Sequence, residues 1–262
     1  MFSSGLSRFI LSMKIGAVIL FAFLISHMVS CQSFDFAELV RGTTIVLTIT
    51  ENEIIIVADS KQVTGAGTRS GCKIKHNEHF FCMAAGLTGT VKTDFQDEML
   101  KVPLDRAQSF EHKIKVIDSA MSKLLPLFIG NLRKYHVDDF KEYLNKSHLM
   151  VLIFAAFENG LPKSAAIVAS YSVNSQNHQN IDITTRVHMD LKVDALHAFG
   201  RTEAFDKYYG DVTSKKILPI PEVIELMKEQ IKLTPETVGE PIDIVQLHKD
   251  GYQWLQKQQH CN

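Results

Sequence analysis

Gly42 stands directly before two threonines, Thr43 and Thr44, at the head of the strand-like run TIVLTIT, and Asp59 ends the next such run, EIIIVAD. A threonine hydroxyl is a weak nucleophile and needs a base. A cut between Gly42 and Thr43 would leave a free α-amine, with an intrinsic pKa of about 8, beside the Thr43 hydroxyl. At neutral pH that amine can take the hydroxyl proton directly or through water. Glycine at 42 lets the preceding peptide adopt a strained turn and adds no side chain to block attack on its carbonyl. Taken singly, Thr43 is an ordinary β-branched strand residue and Asp59 an ordinary strand-end residue.

A second group has ligand chemistry. Cys72, His76, His79 and Cys82 lie within eleven consecutive residues, CKIKHNEHFFC. Two thiols and two imidazoles can hold zinc, but this spacing is more compact than the usual knuckle-plus-pair arrangement. Folded as a hairpin turning near Asn77-Glu78, the segment would set Cys72 roughly opposite Cys82. A disulfide between them or two unpaired thiols are therefore the competing readings.

The elements that would position these groups are legible in the residue periods. Thr43–Thr50 and Glu53–Asp59 read as buried strands, VTGAGTRSG as a loop, and CKIKH with HFFCMAA as a hairpin. Phe110, Ile114, Ile117, Met121 and Leu124 recur at helical steps, with Pro126 expected to kink or end the helix. Val137–Leu144 reads as a short helix, His148–Phe157 and Ser164–Tyr171 as strands, and 182–199 as further strand. Pro221–Leu233 reads as an amphipathic helix, and PIDIVQLHKDGYQWL as two strands around an Asp-Gly turn. Strands, helices, strands, helices, strands in blocks predict a layered α+β fold with two sheets inside and helices outside.

The 262 residues are 45% hydrophobic and 22% charged, with a formal net charge of −1. That composition suits a globular core and gives no Lys/Arg excess for a nucleic-acid partner. The N-terminus departs from it. Arg8 and Lys14 precede the apolar run from Ile15 to Val29, and small residues follow, which is the layout of a signal peptide over residues 1–31. The run is shorter than the roughly 20 residues of a membrane-spanning helix. Export is therefore expected, with contact to a membrane only through this segment or through a lipid on Cys31. Residues 32–42 read as a short propeptide or spacer, and 43–262 as the folded domain.

From GTTIV through IIIVADSK, CKI and CMAAGLTG, then HAFGRTEAFDKYY and the closing PEVIELMKEQIK…GEPIDIVQLHKDG, the chain resembles the proteasome β-subunits and their bacterial relatives, which are N-terminal-nucleophile hydrolases. The resemblance spans about residues 43–255, with the middle helices alike only in pattern. It implies a four-layer αββα sandwich, self-cleavage after Gly42, and Thr43 as nucleophile. It also implies that Asp59 holds a lysine ammonium beside that hydroxyl. Lys73 fits the lysine's place because an apolar residue follows it, while strict counting from Thr43 gives Lys75. By the same resemblance, the Gly86 N–H faces the oxyanion and Ala84 lines the substrate pocket. No metal or cofactor is implied, and ring assembly of relatives leaves a homo-oligomer open.

The chain also departs from the family's pattern. Arg201 stands where relatives have a serine in a Gly-Ser-Gly turn. Pro235 and Val238 stand near the places of an Asp-x-x-Ser pair. These groups orient the α-amine and its water, so Thr202, Glu203 or Glu236 would have to substitute. The expected function is an exported threonine hydrolase acting on peptide or amide bonds. The alternatives are a non-catalytic binding or structural protein on the same fold with Thr43 never freed, or an amidase acting on a non-peptide metabolite.

Overall fold

In a computed structural model, the structure describes residues 39–41, 43–64, 67–90, 94–135, 149–173, 181–209 and 217–258. The chain divides into two units, residues 1–35 and 36–262, and every described residue belongs to the second. The expectations for the signal segment, Cys31, Gly42 and the helix at Val137–Leu144 lie outside the described residues. None of the described helices is long and apolar enough to cross a membrane.

Thirteen strands are described, all paired antiparallel. One sheet runs β11(Ala195–Gly200)-β2(Thr44–Ile49)-β3(Glu53–Asp59)-β12(Ile242–His248)-β13(Gly251–Gln256). The other runs β10(Ile181–Met189)-β9(Leu161–Val173)-β8(Met150–Glu158)-β7(Phe81–Thr90)-β1(Leu39–Arg41)-β4(Lys61–Thr64)-β5(Gly67–Ser70), with β6(Ile74–His76) also on β7.

The side-chain period explains how the sheets meet. Ile45, Leu47 and Ile49 of β2 alternate onto one face, with Ile54, Ile56 and Ala58 of β3. They share a core with Phe81, Met83 and Ala85 of β7 and Ile153 and Ala155 of β8. Val46, Val57, Leu196 and Ile244, on the opposite face of the five-stranded sheet, pack against Phe205 of α3(Glu203–Tyr209) and Val223 and Met227 of α4(Ile220–Leu233). Both faces of β2 and β3 are thus buried, as their near-continuous Ile/Val content requires. On the other sheet, α2(Phe110–Tyr135) contacts β9 and β10, and α1(Phe95–Leu100) contacts β7. Edge-to-face packing of Phe95 on Phe128, with ring centroids 5.0 Å apart, ties α1 to α2.

Four expectations change. Pro126 does not end its helix; α2 runs on to Tyr135. Pro126 is exposed, so the carbonyl it leaves unpaired faces water, while buried Leu125, Phe128, Ile129 and Leu132 continue the apolar stripe. That burial offsets the roughly 3 kcal/mol of an interior proline. Leu125, not Leu124, carries the stripe at that turn. The stretch read as a loop, VTGAGTRSG, belongs largely to the β4–β5 hairpin at a sheet edge, where exposure removes the apolar alternation that would mark it. Residues 39–41 of the spacer form β1, inserted between β7 and β4.

The Cys72–Cys82 pairing is also excluded. The β6–β7 register sets Cys82 against Lys75 and Ile74 against Met83, so Cys72 does not face Cys82. Cys72 is disulfide-bonded, and Cys82 is a free, buried thiol whose pKa burial pushes up.

Candidate active site

Thr43 is buried, at the step from β1 into β2, and its surroundings hold its backbone firmly. The Arg201 N–H donates to the Thr43 carbonyl at 3.0 Å, the Thr44 hydroxyl donates to the Arg201 carbonyl at 2.7 Å, and the Thr44 N–H donates to Asp59 Oδ1 at 2.7 Å. Gly200 is required here. Its φ is +87°, and a Cβ on it would lie 2.0 Å from the Thr43 carbonyl oxygen. The Thr43 hydroxyl itself is buried with no hydrogen-bond partner among the described residues. Leaving a buried hydroxyl unpaired costs about 1–3 kcal/mol.

Asp59, at the end of β3, is fully buried. Besides Thr44 N–H, its carboxylate receives the Lys73 ammonium at 2.8 Å and the Lys61 and Gly239 N–H groups at 3.1 and 3.2 Å on Oδ2. Four donors on one carboxylate hold it in position. Lys73 is 3% exposed and sits just before β6. The structure thus brings Asp59 and Lys73 together beside the residue that follows Thr43. Lys75, the alternative by counting, points elsewhere. It pairs with Asp97 at 2.8 Å and Asp94 at 3.2 Å on α1 and its N-cap.

Burial pulls the Lys73 ammonium below the ordinary lysine value, opposed by the charge and hydrogen bond of Asp59 and by the more distant Asp243. The unfolded chain therefore binds this proton more tightly than the folded one. Between the folded pKa and 10.5, stability should rise with pH as the buried ammonium is neutralised. We expect the stability difference between the wild type and Lys73→Met to widen in the wild type's favour from pH 7 to pH 10. Urea midpoints read this directly, and a difference constant over that range would refute a depressed Lys73 pKa.

Gly86 lies in β7 with φ +91°, and a Cβ on it would meet the Leu149 carbonyl at 2.6 Å. The next residue, Leu87, donates its N–H to that same carbonyl at 2.9 Å. On the other edge of β7, β6 pairs up to Met83 and β1 pairs from Leu87, so the backbone of Ala84–Gly86 has no described strand partner there. Ala84 is fully buried. It lies on the face of β7 opposite to core-facing Met83 and Ala85.

Several residues missed in the sequence complete the arrangement. Gln96 of α1 is 2% exposed and donates through Nε2 to the carbonyls of Lys73 and Cys82, at 2.8 and 2.9 Å. It thereby clamps the lysine's backbone to β7. Ser60 donates to Asp243 at 2.9 Å, which puts a second buried carboxylate behind Asp59. No sequence period announces either residue, because both serve contacts between distant segments.

The proposed substitutes for the missing polar groups are engaged elsewhere. The Thr202 hydroxyl donates to Asp206, and Glu203 accepts from Arg201 and Gln230. Glu236 is exposed, and Val238 is buried. Arg201 acts on Thr43 through its backbone, while its side chain turns to Glu203. Nor do the four residues of the zinc reading converge: among the described residues no group of three or more His, Cys, Asp or Glu is arranged to hold a metal. His76 stacks on Phe81 and contacts the Tyr252 hydroxyl at 3.3 Å, and His79 lies beside Glu78.

No family model matches the chain, and no curated protein matches it. Solved structures similar to it include two of Anbu from Hyphomicrobium sp. strain MC1. The Anbu (Gly-1) mutant is 15% identical with a TM-score of 0.49, over 82% of this chain and 85% of that one. A second Anbu structure is 15% identical with a TM-score of 0.45, over 81% and 85%. This likeness is coarse and carries no statement about residues or activity.

Proposed function

We propose that this chain is an exported N-terminal threonine hydrolase that cleaves peptide or small amide bonds, with a four-layer αββα fold of the proteasome kind. The observation that carries the reading is the buried, unpartnered Thr43 hydroxyl on the residue before Thr44, whose own N–H donates to Asp59 of the buried Asp59–Lys73 pair. A fold keeps such costly groups together where chemistry uses them.

In this reading the chain opens after Gly42, and the freed α-amine of Thr43 takes the hydroxyl proton. The oxygen attacks the substrate carbonyl, and the lysine ammonium stabilises the negative charge that develops. In this reading the Gly86 N–H, on the stretch of β7 that neither β6 nor β1 pairs, binds the oxyanion. The leaving amine receives the proton and departs. Water then hydrolyses the Thr43 ester. The chemistry uses no metal or cofactor. Nucleic acid is not a partner of this reading, and a homo-oligomer is compatible with it.

One observation favours a second reading, a non-catalytic protein on the same fold. Arg201 and Val238 replace the polar groups that would orient the amine, and Thr202 and Glu203 do not stand in for them. A peptide epoxyketone discriminates, because it needs both the hydroxyl and a free α-amine on one residue. Intact mass should show a single adduct, mapped to Thr43. A folded protein that takes up no adduct would favour the non-catalytic reading.

A further inference from the structure

Asp243, on β12, is a buried carboxylate that the threonine chemistry does not use; it is 1% exposed. Its oxygens accept from two segments far apart in the sequence. The Ser60 hydroxyl donates to Oδ2 at 2.9 Å, the Gln258 N–H to Oδ1 at 2.9 Å, and Gln258 Nε2 to Oδ2 at 3.3 Å. The side-chain oxygen of Gln258 accepts in turn from the Ser70 hydroxyl. Ser60 and Ser70 are the two feet of the β4–β5 hairpin: Ser60 precedes β4, and Ser70 ends β5. The Gly71 N–H donates to the Ser60 carbonyl at 2.8 Å and closes the base. β12 belongs to the five-stranded sheet and the hairpin to the other. Asp243 and Gln258 therefore tie the hairpin across the two sheets.

The hairpin bears on Thr43 in two ways. At its base, the Lys61 N–H donates to Asp59 Oδ2, the oxygen that also receives the Lys73 ammonium. Along β4, Val63 pairs with Arg41, so residues 39–41 rest on the hairpin at one edge and on β7 at the other. Residues 39–41 lead into the acyl side of the bond between Gly42 and Thr43. Left to itself, the hairpin is a weak support. β5 ends its sheet, and among the hairpin's described side chains only Gln62 is buried. Two strands with so little apolar burial open at low free energy. Hydrogen bonds to a buried carboxylate are the strong kind, and here they hold both feet.

We propose that Asp243 and Gln258 are positioning residues: they fix the β4–β5 hairpin, and through Val63 the residues before Gly42, where the Thr43 hydroxyl can open the Gly42–Thr43 bond. In that step the Thr43 oxygen attacks the Gly42 carbonyl carbon. The peptide nitrogen takes the hydroxyl proton and leaves as the α-amine. Water then hydrolyses the ester to a Gly42 carboxylate and a free hydroxyl. Release of Thr43 thus waits until the segment after β13 has docked on β12. The cleavage rests on the threonine-hydrolase reading; the anchoring of the hairpin does not.

The test uses Gln258→Leu, which removes the side-chain ties and, unlike a change at Asp243, removes no charge that acts on Lys73. Gln246→Leu is the control, because Gln246 of β12 bonds to Glu53 and Gln253, away from the hairpin. In the first arm, amide hydrogen exchange is followed in full chains that carry Thr43→Ala, so that no cleavage intervenes. Gln258→Leu should speed exchange over residues 39–41 and 61–63 about tenfold, the value of one hydrogen bond to a charged group, and Gln246→Leu should not. In the second arm, intact mass follows the release of Thr43 after refolding of full chains that keep Thr43. Gln258→Leu should slow release about tenfold, with the Gln246→Leu rate unchanged. Exchange that Gln258→Leu leaves as it is would overturn the proposal. So would a release rate that is unaffected, or one that both variants slow equally, since that reports lost stability alone. Faster exchange in a protein whose wild type never releases Thr43 would keep the anchor and sink the hydrolase reading.

Discussion

Thr43→Ala is expected to retain the residues before position 43 and to lose all amide hydrolysis, while the wild type begins at Thr43. Both effects come from one oxygen. The Thr43 hydroxyl is the group that would open the bond after Gly42, and afterwards the group that would attack substrate. No other described hydroxyl is buried without a hydrogen-bond partner. Losing a nucleophile that also releases its own base costs at least about 10³-fold in kcat/KM. Intact mass and N-terminal sequencing check the first effect, and a fluorogenic peptide assay checks the second. The fold should survive, because alanine fits the buried site and removes an unsatisfied polar atom. If wild type and variant share one N-terminus upstream of Thr43, the α-amine is never released and the mechanism fails.

The second large effect concerns stability. Asp59→Asn keeps the shape of the side chain but removes the charge that balances a buried ammonium. It also turns an NH2 group toward donors. Thr44 N–H, Lys61 N–H, Gly239 N–H and Lys73 Nζ all now donate to this carboxylate. Breaking a buried pair by removing one partner costs about 3–5 kcal/mol. For a domain of this size that lowers Tm by roughly 10 °C. Calorimetry on the wild type and variant measures it. A loss below about 1 kcal/mol would mean that Lys73 is already neutral in the folded protein, and its role in stabilising negative charge would go with it.

Lys73 and Lys75 show where the sequence stopped. Both are lysines two residues apart in a β-rich stretch, and nothing local separates them. Tertiary packing does so: α1 offers Asp94 and Asp97 to one, while the end of β3 offers Asp59 to the other. The β4–β5 hairpin shows the opposite limit. An exposed edge buries no periodic face, so the residue types alone read as a loop.

What the sequence determined by itself is the inventory and the periods. The paired Ile/Val runs fix β2 and β3 as doubly buried strands, their ends set Thr43 and Asp59 at neighbouring strand termini, and the Asp-Gly turn fixes the closing hairpin. Those signals are local, because burial on one or two faces writes itself into the spacing of apolar residues. Only the tertiary structure decided which lysine meets Asp59, that Gln96 clamps it, that Gly200 clears the Thr43 carbonyl, and that Cys72 does not pair with Cys82. Each is a contact between segments far apart in the chain, set by sheet register and layer packing. A single residue type at one position carries no trace of the partner that the fold will bring to it.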